Sequence, residues 1–399
     1  MMQLCDFTDR LGFDDAFRAK LTPYWPGDPD LSVPASIADD AFLRRWLPRF
    51  GNAPDLAPAI RRTLDAAGRE PALAVWINLV IEFAYGIRSG LKPTDFPEPV
   101  RLLGDDAGIP ALLAALASLP RIEATQKALG LPVSCLEGCA DWIAGTVSIY
   151  RGAHGGHPGH DLRQIHWLKL SIDGRLFRVG RFEFLVHRAP DWVPAIYRSR
   201  RDGRVVAFAL DGWKLTPEGY RAAADSDAPA VSLDREGRML TGTPIDFKTG
   251  RALPGRISID LDEFAPLLTA HDWVPSMHIP GGGNMRPELC RESLREAFAF
   301  FRRHFKKEIP AFVCCSWILN PDWMTELPES NLAAFMRMVR LFPTPPDPKS
   351  GLFFVFGRDD GDPLTYPADN SLRRAFRRIL ESGRSLRSGG MFVLPDDFA

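Results

Sequence analysis

The sequence predicts a protein of mixed α+β and α/β class, in which an all-helical N-terminal domain precedes a domain built on a mixed β-sheet. Three observations predict this class. Apolar residues recur with helical spacing over about the first 150 residues, in segments that prolines separate. β-rich runs with hairpin signals then begin, and beyond residue 273 strands alternate with helices. We therefore expect domains at 1–150 and 151–399, with a turn-rich insertion at 211–257.

The N-terminal domain consists of predicted helices and carries no motif that indicates chemistry. The spacing of apolar residues places helices at 41–50, 56–67, 72–87, 109–119 and 122–129. Pro120 separates the last two, since proline does not continue a helix. The segment 72–87 is the most apolar, but Asn78 and Glu82 interrupt it and it is too short to cross a bilayer. We expect a packing or specificity domain.

The C-terminal domain begins with strands and continues as alternating strands and helices. After a Gly/His/Pro linker at 151–160 and a short helix at 161–170, a strand is predicted at 175–187. Hairpins are predicted around Asp202-Gly203 and Glu236-Gly237. The later strands are predicted at 273–279, 312–319, 352–357 and 391–394. Helices are predicted from Pro287 onward, at 331–341 and at 372–380.

Composition and charge exclude several classes of protein. The 399 residues are 45% hydrophobic and 25% charged, as in ordinary globular proteins. The 49 Lys and Arg residues balance the 50 Asp and Glu residues, so no overall field draws the chain to nucleic acid or to an anionic membrane. The first residues lack a basic region followed by a long apolar run, so we expect no secretory signal.

The six cysteines indicate a reduced, cytoplasmic protein. They lie at positions 5, 135, 139, 290, 314 and 315, without the paired spacing of a zinc knuckle or the density of a disulfide framework. Cys314 and Cys315 are adjacent in a predicted strand and must face opposite sides, so at most one can enter a cleft. We expect both to lie in the core.

A run of glycines lies between the predicted strand at 273–279 and the helix that opens at Pro287. Without Cβ atoms, Gly281, Gly282 and Gly283 allow the backbone to approach a ligand closely. The free N–H groups and the dipole of the following helix favour a phosphate or pyrophosphate at this place. A tight structural turn explains three glycines equally well, and the run matches neither GxGxxG nor a Walker loop.

Several segments together give the chain a resemblance to a known family. The order meander, strand, glycine loop, helix, strand, helix, strand resembles the GNAT acyltransferase superfamily. More closely, the chain resembles a bacterial family of GNAT-like acyltransferases with a helical N-terminal domain. The segments that carry this resemblance are RVGRFEF (178–184), HIPGGG (278–283), the helix from 290 to 301, VCCSWILNP (313–321) and ESNLAAF (329–335).

The resemblance implies an N-acyltransferase that moves an acyl group, expected to be acetyl, from acyl-CoA to an amine. Acyl-CoA is then a co-substrate, and no metal is expected. The glycine loop 281–283 would hold the coenzyme A pyrophosphate, together with Asn284, Arg286 and Asn331. The amine acceptor is unidentified, and homodimer formation is left open.

Departures from the family pattern support an alternative function. The loop has the sequence PGGGNM where GNAT loops begin with Arg or Gln, and Arg286 is a poor residue to cap the following helix. The segment 331–342 contains no tyrosine that could act as the acid of the reaction. The alternative is a non-catalytic GNAT-like module that binds acyl-CoA or another ligand as a sensor or scaffold.

Three residues are candidates for the chemistry of acyl transfer, which needs a base for the amine and a proton donor for the leaving thiolate. His278 ends the strand before the glycine loop and is of the residue type that suits a base near neutral pH. Glu183 lies on the strand face opposite Phe182 and Phe184 and can act through water. Ser316 follows the cysteine pair and can donate to the thiolate or bind the amine. Each also has a structural explanation: a loop hydrogen bond, an ion pair with a neighbouring arginine, or packing in a strand.

Two further groups are explained better by structure than by binding. His154, His157 and His160 have a spacing that suits zinc or nickel, but their glycine-rich surroundings lack a carboxylate pattern and favour a mobile linker. Four arginines of the last helix occupy the face opposite its apolar residues, which is typical of a solvated surface. These are Arg373, Arg374, Arg377 and Arg378.

Overall fold

The computed structural model describes residues 2–50, 55–268, 272–281 and 284–398. Contacts within the chain divide it into two compact units. Unit 1 is Met1–Arg178 with Pro280–Gly282, and unit 2 is Val179–Ile279 with Gly283–Ala399. Residue 150, near which the sequence predicts a domain boundary, lies inside a helix of unit 1.

Unit 1 is helical. Its helices α1 to α12 are Leu4–Leu11, Asp15–Leu21, Ala35–Ala38, Asp40–Trp46, Leu56–Arg69, Pro71–Ala84, Val100–Leu103, Ile109–Leu116, Ser118–Ala128, Val133–Ala153, Leu162–Ile165 and Trp167–Ile172. The helices predicted at 56–67 and 72–87 are confirmed as α5 and α6. The pair predicted around Pro120 is confirmed as α8 and α9, but Pro120 lies in the first turn of α9, where its missing N–H breaks no helical bond.

The core of unit 1 explains why α6 is so apolar. All eight residues of α8 are buried, and α6 is buried along nearly its whole length. Trp76 of α6 is fully buried, and its Nε1 donates to the Pro97 carbonyl at 3.0 Å. No single helix of the described chain is long and apolar enough to span a membrane; one bent pair, Val100–Asp106 with Ile109–Ala128, passes by length and composition.

The helix α10 is not among the predicted helices, and its last turn occupies part of the expected linker at 151–160. Three glycines within its 21 residues weaken the helical pattern in the sequence. At the other end of the expected linker, His160 is fully buried, with its ring 6.1 Å from that of Trp142. The linker prediction is therefore wrong, because both ends of the segment pack into unit 1.

Unit 2 contains almost all of the strands, and the chain enters it within the first of them. The strands β1 to β14 are Leu176–Val179, Phe182–Arg188, Ala195–Ser199, Val205–Phe208, Asp234–Glu236, Met239–Gly242, Ile245–Asp246, Arg251–Ala252, Ile257–Asp260, Phe264–Leu268, Trp273–His278, Phe312–Ser316, Arg340–Pro343 and Gly389–Val393. Its helices α13 to α17 are Pro287–Phe305, Trp323–Glu326, Asn331–Met336, Leu352–Phe356 and Ser371–Glu381. Both predicted hairpins, the helix from Pro287 and the last helix are confirmed.

The main sheet has the strand order β1-β2-β11-β12-β14-β13. It is mixed, because β11 is antiparallel to β2 and parallel to β12. One face packs against α13, where Phe298 stacks on Phe312 at 4.2 Å and Phe301 meets Phe184 edge-on. The other face shares a core with the small sheet β10-β3-β4, in which Ile196 is fully buried. The predicted fold class is confirmed.

Two predicted strands are shorter than the sequence suggests. The strand at 175–187 is two strands, because Gly180 turns the chain with φ of 56°. A Cβ at Gly180 would lie 3.0 Å from the Ser293 side chain, so the close approach of α13 requires glycine. The strand at 312–319 ends at Ser316, whose hydroxyl accepts from the Ile318 N–H and starts a 3-10 turn.

Two predictions in the last third are wrong. The helix at 331–341 ends at Met336, and the edge strand β13 follows. The segment 352–357 is the helix α16 instead of a strand, bounded by the left-handed Gly351 and Gly357. Leu352 and Phe356 are buried one turn apart while Phe354 is 53% exposed. An apolar run this short has no period that separates a strand from a buried helix.

Candidate functional site

The strands β2 and β11 bring together two of the three predicted catalytic residues. In their antiparallel ladder His278 is paired with Glu183, so the two side chains lie on the same face of the sheet, with Cβ atoms about 5 Å apart. Glu183 is 3% exposed and His278 is half-buried. The sheet therefore places an imidazole beside a carboxylate at the end of β11.

The surroundings of His278 keep its imidazole neutral. Burial, and then the charge of His187, lower the pKa of His278 to about 4. At pH 7 the ring is therefore neutral, and a neutral imidazole has one nitrogen that can accept a proton. His187 lies on the same face as His278 and is hydrogen-bonded through Nε2 to the Ser276 hydroxyl. His187 and Ser276 extend the polar character of the face along the sheet and were not predicted, although strand alternation from Glu183 would have indicated His187.

Ser316 is not brought to this pair. Ser276 is the ladder partner of Val313, so alternation along β12 puts Cys315 on the face of His278 and Ser316 on the other face. The Ser316 hydroxyl accepts from the Ile318 N–H at 3.3 Å. Its own hydrogen is not used by that bond, and a role in proton donation stays a prediction.

The two cysteines of β12 face opposite sides, as predicted. Cys314 is buried, whereas Cys315 is exposed. The expectation that both lie in the core is therefore wrong for Cys315. The Cys315 side chain lies on the sheet face that carries His278 and Glu183, as does that of Val313.

The strands β11 and β12 part beside His278. Their parallel ladder consists of the single pair Ser276 and Val313, although β11 continues to His278 and β12 to Ser316. Each strand is fully paired on its other side, β11 with β2 at six positions and β12 with β14 at five. Parting strands leave backbone N–H and C=O groups without ladder partners. A ligand that enters the gap can therefore bond the backbone next to the His278 imidazole.

Asn284 is hydrogen-bonded to Arg286 and Asn331, the other two polar residues that were predicted to bind the coenzyme. Its Oδ1 accepts from the Arg286 N–H at 2.9 Å and from Asn331 Nδ2 at 3.1 Å. Its carbonyl accepts from Arg181 Nε at 3.0 Å. Arg286 makes no side-chain cap, as predicted, and Asn284 satisfies the N–H instead. The N-terminal ends of α13 and α15 are thereby joined at an exposed amide.

Of the glycine loop, only Gly281 lies within the described residues; Gly282 and Gly283 lie outside them. Gly281 is exposed, and its φ is not in the left-handed region. A Cβ added to Gly281 would come within 4 Å of no atom of the part of the chain that the structure describes. Packing in this part of the chain therefore does not require glycine at 281.

The histidines at 154, 157 and 160 do not converge. His154 stacks on Tyr150 with ring centroids 3.7 Å apart, His157 lies 3.5 Å from Asp105, and His160 is buried. Within 2–50, 55–268, 272–281 and 284–398, no three His, Cys, Asp or Glu side chains form a group that could hold a metal ion.

The arginine face of α17 contacts protein instead of solvent alone. Arg373 pairs with Asp369 at 3.0 Å, and Arg378 pairs with Glu326 at 2.8 Å. Arg377 donates to a backbone carbonyl at 2.6 Å. The prediction of a solvated face is therefore wrong for Arg373 and Arg377, which are half-buried, whereas Arg378 is exposed as predicted.

A cavity of 520 Å³ lies within unit 1, apart from the predicted site residues. Its lining includes Glu98, Arg101 and the ion pair of Lys20 with Asp95. Burial raises the pKa of Glu98, whose carboxylate accepts from the Tyr150 hydroxyl at 3.1 Å. The lining is mixed polar and apolar, and nothing in it resembles the pair formed by His278 and Glu183.

Solved structures of acyltransferases share this fold. One, in complex with decanoyl-CoA and teicoplanin, is 21% identical and has a TM-score of 0.60, with 98% of this chain and 99% of that chain covered. The same values hold for a complex with CoA and 10C-teicoplanin. A third, in complex with decanoyl-CoA, is 20% identical with a TM-score of 0.57, covering 99% of this chain and 100% of that chain. At this identity the likeness shows a common fold.

No curated protein sequence matches this chain. A family model does, described as the GNAT-like C-terminal domain, and it covers residues 176–392, which is more than half of the chain. That range contains the sheet, the parting strands, the pair of His278 with Glu183 and the Asn284 junction. The resemblance seen in the sequence is confirmed, and the chain belongs to the family of the GNAT-like C-terminal domain.

Proposed function

We propose that the protein is an acyltransferase that moves an acyl group from acyl-CoA to an amine. The observation that carries this proposal is the pairing of His278 with Glu183 beside the gap between β11 and β12. Membership of the GNAT-like family supports it, as do the acyl-CoA ligands of the solved acyltransferases with the same fold. The alternative is a non-catalytic sensor or scaffold, which would bind acyl-CoA in the same way but would not transfer the acyl group.

Acyl transfer requires a neutral amine, and most amines are protonated at pH 7. A neutral imidazole at His278, or the Glu183 carboxylate acting through water, can remove that proton. The amine nitrogen then bonds to the thioester carbonyl carbon, and the C–S bond breaks. A backbone N–H of the parting strands can stabilise the oxyanion that forms. The coenzyme leaves as a thiol after its sulfur receives a proton, for which Ser316 stays the predicted donor.

The coenzyme side of the site is assigned to the loop 281–283 and its neighbours Asn284, Arg286 and Asn331. The loop leads into the N-terminus of α13, a 19-residue helix whose dipole favours an anion. The described residues leave room for a Cβ at position 281, so packing does not explain the glycine there. Close approach of the backbone to a ligand would explain it. Arg286 is exposed and can add a charge-assisted bond to a phosphate.

The acyl group is expected to be longer than acetyl. Acetyl was the group expected from the family resemblance, whereas the solved acyltransferases of the same fold hold decanoyl-CoA. We therefore propose a medium-length acyl-CoA as the donor. A series from acetyl-CoA to decanoyl-CoA tests this assignment, since each buried methylene adds about 0.8 kcal/mol to binding. A reduced, cytoplasmic location stays a prediction.

Calorimetric titration with decanoyl-CoA and acetyl-CoA, followed by thiol release with a panel of amines, tests the proposed function. Binding with amine-dependent thiol release is the expected result. Binding without release by any amine would favour the sensor. Failure to bind either thioester at millimolar concentration would contradict both functions.

A further inference from the structure

Three arginines gather around aromatic rings where the turn-rich insertion contacts the segment before β14. The Arg387 guanidinium lies 3.8 Å from the ring centroid of Tyr220, and that of Arg251 lies 4.7 Å from the same ring. Arg221, next to Tyr220, stacks on Trp213 at 4.2 Å. Stacking on a ring holds a guanidinium by its flat face, so its N–H donors point away from the ring.

Two of these arginines have donors that the surrounding protein does not use. Nε of Arg221 and Nε of Arg387 are both buried, and neither bonds an acceptor among the residues described. Asp322 comes within 4.0 Å of Arg387 Nε, too far for a hydrogen bond, and is paired with Arg384 at 3.2 Å. A buried donor without an acceptor is unfavourable. An anion that binds at these guanidinium groups therefore gains hydrogen bonds that the protein itself does not form.

The other carboxylates near the cluster do not take up these donors. Glu218 and Asp191 interact electrostatically with arginines of the cluster, but both carboxylates are exposed. Exposed charges are screened by solvent and do not replace a hydrogen bond to a buried N–H.

The backbone fixes the arginines in place. Gly219 has φ of 83°, and a Cβ there would lie 2.1 Å from the Ala252 carbonyl oxygen, which fixes the chain just before Tyr220. A Cβ at Gly389 would lie 1.9 Å from the Leu319 carbonyl oxygen, which fixes the chain just after Arg387. Only glycine fits at these two positions. The close backbone contacts that they allow therefore set the positions of the segments that carry Arg221 and Arg387.

The cluster lies beside the sheet face that carries the proposed catalytic pair. Trp213, on which Arg221 stacks, shares a hydrophobic core with Val274 of β11 and Val313 of β12. Strand alternation and the pair of Ser276 with Val313 put both valines on the sheet face of His278 and Glu183. The helix α13, whose N-terminus is assigned to the coenzyme, packs against the other face through Phe298. An anion at the cluster therefore belongs to the acceptor and not to the coenzyme.

We propose that Arg221 and Arg387 bind a carboxylate or phosphate of the acceptor, which makes the acceptor an amine that also carries a negative charge. This inference rests on the proposed acyl transfer. The guanidinium edge suits both groups, because it presents parallel N–H donors to paired oxygens. Fixing the anion at the cluster orients the amine for the base at His278.

Matched acceptors test the inference. Thiol release from decanoyl-CoA is measured with phenylalanine against phenylalaninamide and with glucosamine 6-phosphate against glucosamine, which separates carboxylate from phosphate. The variants are Arg221→Gln and Arg387→Gln. The control is Arg238→Gln, which removes a 67% exposed arginine of the same insertion. We expect wild type to prefer one charged acceptor, and each cluster variant to raise KM for it about 10- to 100-fold, as for a lost charge-assisted bond.

The neutral acceptors and the affinity for decanoyl-CoA should be unchanged in these variants. Equal KM of wild type for charged and neutral amines would overturn the inference. The inference would also be overturned if both variants lost affinity for CoA but not for dephospho-CoA. That result would mean that the cluster binds the phosphate that dephospho-CoA lacks, and hence the coenzyme. Binding of each charged acceptor is also measured without acyl-CoA, which tests the anion site independently of the proposed acyl transfer. Binding that Arg387→Gln abolishes supports the anion site even if no thiol is released.

Discussion

At the scale of single residues, we propose that the pair of His278 and Glu183 removes the proton of the acceptor. The imidazole is neutral at pH 7 because burial and the His187 charge lower its pKa to about 4. A base with so low a pKa is unprotonated at pH 7 but has a low affinity for protons. Its position next to the amine therefore matters more than its basicity. Glu183 is held beside it by the same ladder pair.

His278→Gln should lower kcat about 10²- to 10⁴-fold, because general base catalysis contributes that much and the amide cannot take the proton. Binding of decanoyl-CoA, measured by calorimetry, should be unchanged. Glu183→Gln is the matched variant, at the paired position. A large loss of kcat in Glu183→Gln alone would assign the base to the carboxylate.

His187→Gln should move the acid limb of kcat/KM for decanoyl-CoA to higher pH. Removing the His187 charge takes away one of the two causes that lower the pKa of His278, so the imidazole becomes protonated, and inactive as a base, at a higher pH. The profile is measured at saturating acceptor. Ser276→Ala removes the hydrogen bond to His187 but keeps its charge, so it should leave the limb in place. A limb that moves equally in both variants would contradict the electrostatic explanation.

At the scale of elements, the connection between β11 and α13 carries the proposed coenzyme site. Gly281→Ala tests it, because the added Cβ meets no atom within 4 Å in the described parts of the chain. The protein should fold normally and bind decanoyl-CoA about tenfold more weakly, or worse, which is a loss of about 1.4 kcal/mol. Gly152→Ala in α10 is the control, since its Cβ also meets nothing. Unchanged affinity in Gly281→Ala would place the ligand elsewhere.

The elements also show which parts of the fold a sequence can predict. The hairpin at Asp202-Gly203 and the helix from Pro287 were predictable, because local backbone chemistry fixes both. The helix α16 was not, since its five apolar residues carry no period.

The candidate site shows a similar division. Strand alternation predicted that Glu183 points away from Phe182 and Phe184. Only the register of β2 against β11 shows that Glu183 faces His278. Arg221 and Arg387 could not be found from sequence at all, because aromatic stacking between distant segments brings them together.

At the scale of the whole molecule, each unit buries a histidine in its neutral form. Burial lowers the pKa of His160 in unit 1 to about 4, against 6.5 for an exposed histidine, just as the pKa of His278 is lowered in unit 2. As the pH falls, these histidines take up a proton in the unfolded chain at a higher pH than in the folded protein. The stability that they contribute is therefore complete above pH 6.5 and is lost as the pH falls toward 4.

For His160 this loss should amount to roughly 3 kcal/mol of the free energy of unfolding. Denaturant unfolding of the full chain between pH 7 and pH 4.5 measures it. His160→Gln should flatten the dependence on pH, even if it lowers stability at pH 7. His157→Gln, which changes a half-exposed ring, is the control and should keep the slope of the wild type. An unchanged slope in His160→Gln would mean that other groups cause the acid loss.

Part of the attachment of the turn-rich insertion to the rest of unit 2 consists of backbone bonds. The Leu341 N–H donates to the Phe247 carbonyl at 2.9 Å, and within the insertion the Ala252 N–H donates to the Gly219 carbonyl at 2.8 Å. Such bonds do not depend on side-chain identity, so the residues that we assign to the acceptor can vary while these bonds persist. Under the proposed function, related chains can acquire different acceptors by exchanging this segment, with the elements assigned to the coenzyme left untouched.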